Sequence, residues 1–211
     1  MNRTLLRILV VLLLQANVFA QTDEIKKMEV AAEFSTFARG DSDARSAIGP
    51  GARFTFNLNK SFALETSGYV FPHKGFDRSN NGTIAELVGG LKAGKRFRTW
   101  GIFGKVRPGV VTFSQGEFVI TQTGTGSFPF EFRSQRLTGF ATDVGAVLEF
   151  YPSKRIVTRF DAGDTLIHFG QRSSNGLSFD PTTNTYTLIP FTVPSRTTHN
   201  FQFSASVGFR F

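Results

Sequence analysis

Residues 198–211 alternate without a break. His199, Phe201, Phe203, Ala205, Val207, Phe209 and Phe211 lie on one side of an extended chain, and Asn200, Gln202, Ser204, Ser206, Gly208 and Arg210 on the other. A period of two belongs to a strand with two different faces. Here one face is apolar and aromatic; the other is small and polar. The same period recurs at 28–38, 49–57, 61–71, 84–94, 100–113, 138–151 and 156–169, which predicts eight strands in all. Patterns of period 3.6 are few. Beyond the N-terminal leader no stretch reaches the ~18 apolar residues of a membrane-spanning helix. Two places disturb the alternation: Pro108-Gly109 in the fifth predicted strand, and a slip of phase at Gly163-Asp164 in the seventh. A β-bulge is expected at each.

The connections sort by length. Those at 39–48, 72–83, 114–137 and 170–197 are long and carry turn formers such as Asp77-Arg78-Ser79-Asn80-Asn81-Gly82 and Asn175-Gly176. Leu58-Asn59-Lys60, 95–99 and 152–155 are short. Strict alternation puts every long loop at one end of an up-and-down sheet and every tight turn at the other, an asymmetry that membrane barrels share and soluble sandwiches have no reason to adopt. Residues 1–20 have the layout of a signal peptide: Arg3 and Arg7, the apolar run Ile8 to Leu14, then Val18-Phe19-Ala20 before the cut. The apolar run reaches roughly 10 Å as a helix, against a hydrocarbon core of ~30 Å, so cleavage is expected rather than anchoring. The chain thus divides into a signal peptide, 1–20, and one barrel domain, 21–211. The absence of Cys removes disulfide frameworks, thiolate metal sites and Cys nucleophiles. It also suits export into a bacterial envelope better than a eukaryotic secretory route.

Alternation alone does not say which face is enclosed. A hydrophobic fraction of 40% excludes a bundle of membrane helices but not a membrane barrel, whose outward and inward residues alternate. The polar face decides. It carries Glu33, Arg53, Glu65, Glu86, Lys92, Lys105, Arg107, Asp143, Glu149, Arg159, Asp161 and Arg210 at mid-strand, six acidic and six basic. Inside a narrow barrel that balance matters, because an unpaired buried charge is very costly. Gly90, Gly101, Gly109, Gly145, Gly163 and Gly208 on the same face leave room for long side chains. The expected fold is all-β: an eight-stranded antiparallel up-and-down transmembrane β-barrel whose lumen is filled by an ion-pair network. With 25 Phe in the chain, two aromatic girdles are expected. Phe62, Phe97, Trp100, Phe150, Tyr151, Phe209 and Phe211 are placed at the turn rim, and Phe37, Phe71, Phe113, Phe140 and Phe169 at the loop rim.

The terminal run from Phe201 to Phe211 resembles the signal that outer-membrane barrels present to the barrel-assembly machinery, with Phe201, Phe203, Val207, Phe209 and Phe211 as its apolar positions. Together with strand count and loop parity, the mature chain resembles the small eight-stranded outer-membrane barrels of the OmpA/OmpX type. The resemblance implies an integral protein of the Gram-negative outer membrane, with loops outside and both mature termini in the periplasm. Its partners would be outer-membrane lipid, lipopolysaccharide and the assembly machinery. The mature charge of about +6 makes Arg78, Arg96, Arg98, Arg133, Arg136 and Arg172 candidates for anionic headgroups. Connections 114–137 and 170–197 have strand-like composition, with Phe118, Ile120, Phe128, Phe130 and Phe132 in one and Tyr186, Leu188, Ile189 and Phe191 in the other. They are expected to form hairpins above the membrane whose edges recruit a surface ligand. The function so indicated is structural or surface interaction. The alternatives are a narrow channel, which needs the lumen ion pairs to rearrange, and a lipid-modifying enzyme.

Catalysis has little support. His73, His168 and His199 are scattered, and the residues two after them are Gly75, Gly170 and Phe201, so the His-x-Ser stretch of lipid A deacylase barrels is missing. His73, Asp77 and Ser79 are the residue types of palmitoyl-transfer barrels, but they lie in one loop. No cofactor or metal is expected. Arg39-Gly40-Asp41 and Asn81-Gly82-Thr83 read as turns, and Gly124-Thr125-Gly126 lacks the strand–turn–helix setting of a phosphate loop. No basic cluster with interleaved aromatics suggests nucleic acid.

Overall fold

The computed structural model describes residues 26–39, 46–74, 81–124 and 128–211. The signal-peptide segment, Gly40-Asp41, Asp77-Arg78-Ser79, Thr125-Gly126 and the side chain of His73 lie outside the described residues. Among the described residues ten strands form: β1 (Met28–Arg39), β2 (Ala47–Asn57), β3 (Phe62–Lys74), β4 (Asn81–Arg96), β5 (Trp100–Gln122), β6 (Phe130–Phe150), β7 (Ile156–Phe169), β8 (Arg172–Asp180), β9 (Thr185–Val193) and β10 (Arg196–Arg210). Eight of them close into an antiparallel barrel in the order β1-β10-β7-β6-β5-β4-β3-β2, and β8 and β9 pair as a separate hairpin. Closure is made by the first and last of the described strands. β1 pairs with β2 on one side and β10 on the other, and Met28 and Phe211 exchange backbone hydrogen bonds of 3.1 and 2.9 Å. No barrel strand among the described residues is left with a bare edge at this level, so the sheet's backbone bonding closes on itself.

Side-chain direction follows parity along each barrel strand. On β10 the even residues Asn200 to Arg210 are buried and the odd residues Phe201 to Phe209 are exposed or nearly so. The outer surface is therefore apolar and the inner surface polar, the reverse of a soluble sheet on a core.

Neither expected bulge exists. Val88↔Gly109 and Leu91↔Val106 share one offset, so the β4–β5 register runs straight past Pro108, merely skipping pairs at Gly89 and Gly90. Glycine makes this possible: a Cβ at Gly90 would lie 2.1 Å from the Val106 carbonyl oxygen, so these strands approach more closely than a side chain allows. The registers of β7 with β6 and with β10 are likewise unbroken through Gly163 and Asp164. What looked like lost phase is a polar residue, Asp164, on the outward face. The one shift on β5 falls between Phe113 and Glu117, where the β5–β6 hairpin leaves the barrel.

The loop-rim girdle also needs correction. Phe37, Phe71, Phe113 and Phe169 are buried inside the barrel, and only Phe140 of that set faces outward. Their parity puts them in line with the lumen charges, Phe37 following Glu33 and Ser35 on β1; height along the strand does not decide which side a residue takes. At the turn rim Phe97, Trp100, Phe150, Phe209 and Phe211 are exposed on the outer surface and Phe62 is partly so. Tyr151 turns inward instead.

Candidate functional site

Two features are built by these elements: the lumen and the outer hairpins. At the turn end Tyr151 caps the lumen. It accepts a hydrogen bond from Arg96 Nε (2.9 Å) and donates to Glu149 Oε2 (2.8 Å), while Arg210 stacks over its ring at 4.5 Å. Arg96 also lies 3.7 Å from Glu29 and 3.5 Å from Glu149. Arg96 and Arg98 are therefore at the end opposite the long hairpins, which removes them as candidates for headgroups on the loop side. Among the described residues Arg210 has no ion-pair partner; it donates to the Ser153 and Ile156 carbonyls at 3.1 and 3.4 Å.

Above this cap the charges interlock. Lys92 bridges Glu65 (3.2 Å) and Glu149. Arg159, fully buried, holds Glu65 through both amino groups and Asp161 through Nε and Nη2 at 2.8 and 2.6 Å. Lys105 joins Asp161 (3.4 Å) to Asp143 (2.9 Å), and Arg107 binds Asp143 at 2.5–2.7 Å and Ser67 at 2.7 Å. Arg53 pairs with Glu33, whose other oxygen accepts from Tyr69 at 2.6 Å. Glu86 accepts from Gln202 rather than from a cation. Glu29, Asn57, Tyr69 and Gln202 belong to the polar faces of their strands but are absent from the twelve mid-strand charges that the sequence singles out. All four have inward parity, which is the signal that could have found them.

Toward the long-loop end the lumen changes character. Phe37, Tyr69, Phe71, Ile84, Val111, Phe113, Ile167 and Phe169 form a continuous apolar cluster inside the barrel. Phe37–Phe71, Tyr69–Phe71 and Phe113–Phe169 have ring centroids 5.3, 5.8 and 5.9 Å apart, within the range of favourable ring packing. Tyr69 joins the two zones, with its hydroxyl on Glu33 and its ring on Phe71.

Outside the barrel β5 and β6 continue as one hairpin, while the 170–197 connection folds into β8–β9 on its own. The turn between them ends on Asn184 at φ 51°, a left-handed conformation that Asn tolerates. The hairpins are tied by Arg172 Nε to Glu117 (2.5 Å) and by the Asn175 amide to the Ile120 carbonyl (3.4 Å). At the tips Phe128, Phe130 and Tyr186 make edge-to-face contacts, and Phe179 packs on Tyr186 at 4.9 Å. Phe118, Phe128, Phe132, Phe179, Tyr186, Ile189 and Phe191 all remain substantially exposed. Among the described residues no cluster of His, Asp and Glu could hold a metal ion, and no helix is long and apolar enough to cross a membrane.

No protein-family model matches the chain, and no curated protein matches it. Solved structures with a similar fold include Ail, the attachment invasion locus protein of Yersinia pestis (14% identity over 89% of this chain and 100% of that one, TM-score 0.47). Neisserial surface protein A is another (13% identity, 87% and 97%, TM-score 0.48). The outer membrane protein OprG from Pseudomonas aeruginosa is a third (13% identity, 89% and 97%, TM-score 0.45). These are eight-stranded outer-membrane barrels, and the likeness is one of fold alone.

Proposed function

We propose that this chain is an integral protein of the bacterial outer membrane, a sealed barrel that carries two hairpins for contact at the cell surface. The observation that carries the reading is the double closure of an inside-out barrel. The outer wall is apolar, so it suits hydrocarbon. The lumen is blocked once by interlocked ion pairs and again by the aromatic cluster around Phe71, so it offers ions no path. The exposed aromatics of β5–β6 and β8–β9 supply surface that a merely structural barrel would not need. In this reading the hairpins lie outside, the chain ends face the periplasm, and the run Phe201, Phe203, Val207, Phe209 and Phe211 on β10 is what the assembly machinery recognises. Outer-leaflet lipopolysaccharide surrounds the loop end, where Arg133, Arg136 and Arg172 stand.

Planar-bilayer recording on the refolded protein tests the sealed lumen: silence is expected, and steady conductance would favour a narrow channel instead. A mass change in lipid A incubated with the protein would overturn the non-enzymatic reading. Heat-modifiable migration on SDS gels tests the membrane barrel itself.

A further inference from the structure

Along the eight barrel strands, between the two rims, the outward positions among the described residues are apolar, small or hydroxylated apart from two histidines and a single acid. Asp164 on β7 faces outward, 39% exposed. An acid on that face of a membrane barrel is destabilising unless it sits at the interface or has a role. Counting from Ile156 at the turn rim, Asp164 is about eight residues up, roughly 20 Å along the axis at ~3.3 Å per residue and ~40° of tilt. That places it near the top of a ~25 Å apolar band.

Asp164 is held in place. Its Oδ1 accepts the Asn200 backbone N–H at 2.8 Å, and its Oδ2 lies 2.6 Å from His199 Nδ1. His199 is 73% exposed, so the far edge of its ring, with Nε2, is open to the surroundings. One step along the same two strands, His168 Nδ1 lies 3.1 Å from the Thr197 hydroxyl. Phe140 and Phe201, both more than half exposed, are the cross-strand neighbours of His168 and Asp164. Below, on the same outer face, an open groove of about 410 Å³ runs between Phe34, Phe160 and Val207 over a floor of Ala32, Thr158 and Ala205.

We propose that Asp164 and His199, with His168 and Thr197 beside them, form a binding site for the sugar headgroup of an outer-leaflet glycolipid, one of whose acyl chains lies in the groove beneath. A carboxylate and imidazole nitrogens at interface height accept from sugar hydroxyls, and the flanking Phe rings supply apolar faces for the ring C–H groups. The groove lies where a chain hanging from that headgroup must pass. The inference rests on the barrel being embedded in lipid, as proposed above.

The test is native mass spectrometry of the full refolded barrel with three lipids of matched acyl chains: a neutral glycosyl diacylglycerol, lipid A and phosphatidylcholine. Heat-modifiable migration and insertion into vesicles are scored first, because failure there removes the membrane reading and not this site alone. With insertion intact, both sugar lipids are expected to stay bound and phosphatidylcholine to be lost. Asp164→Asn keeps the hydrogen bond to the Asn200 amide and should weaken retention of both sugar lipids about tenfold, the order of one charge-assisted hydrogen bond; His199→Gln should do the same. Equal retention of phosphatidylcholine, retention of lipid A alone, or undiminished binding in both inserted variants would overturn the proposal.

Discussion

Arg159 is the most consequential single side chain in the lumen. Replacing it with Met keeps most of its volume and removes the guanidinium. Four hydrogen bonds disappear, two to Glu65 and two to Asp161. Neither acid is left wholly alone: Glu65 keeps Lys92 at 3.2 Å and Asp161 keeps Lys105 at 3.4 Å. Removing one partner of a buried pair costs about 3–5 kcal/mol, and the remaining cations place this case near about 3 kcal/mol, roughly two orders of magnitude in the folding equilibrium. The double replacement Arg159→Met, Glu65→Leu removes one charge of each sign. It leaves Lys92 on Glu149 and Lys105 on Asp161 and Asp143. Most of the loss should then be recovered, because a neutral pair replaced by apolar side chains is close to energetically neutral. Urea unfolding in lipid vesicles reads this directly. Trp100, the only Trp in the chain, stands on the outer surface and stacks on Phe97 at 4.3 Å. A loss below about 1 kcal/mol for the single variant, or no recovery in the double, would refute the reasoning that these charges act as a coupled network.

Three further outcomes follow from the same geometry. Phe71→Ala removes the ring that links Phe37 to Tyr69 and should cost about 3–5 kcal/mol, measured in the same unfolding assay, while planar bilayers stay silent because the ion pairs still block the lumen. Gly90→Ala forces a Cβ to within 2.1 Å of the Val106 carbonyl oxygen; refolding yield scored by heat-modifiable migration should fall sharply, whereas Gly104→Ala, with nothing nearer than 3.9 Å, should fold normally. In the β8–β9 turn the Thr182 backbone N–H, and then the Thr183 hydroxyl, hold Asp180 below the usual carboxylate range. The turn's contribution is therefore fully present above the unfolded-state value and is lost as pH falls through the lower folded one. The Thr182 amide resonance should shift with that titration, and Asp180→Asn should abolish the dependence.

Period and parity carried most of the fold. The alternation on β10 and its repeats identify the eight barrel strands, and the long and short connections identify the two ends. Most departures from expectation come from setting parity aside. Height along the strand alone suggests a girdle of Phe37, Phe71, Phe113 and Phe169, although each shares the phase of inward residues on its own strand. A carboxylate on an apolar face mimics a bulge at Asp164, although the phase never slips there. Tyr151, just past the end of β6, continues the odd parity of inward Glu149, and its ring turns in toward Arg96 and Arg210.

A linear sequence determines which side chains share a face, because successive residues on an extended chain must point opposite ways. It also marks where strands end, because turn formers interrupt the alternation. Only the closed barrel decides which residues of different strands meet. Glu65 reaches Arg159 across the lumen and Lys92 on the neighbouring strand, Tyr69 reaches Glu33, and His199 reaches Asp164. These contacts are set by register and by the curvature of a sheet joined to itself, and the spacing of residues along one chain contains neither.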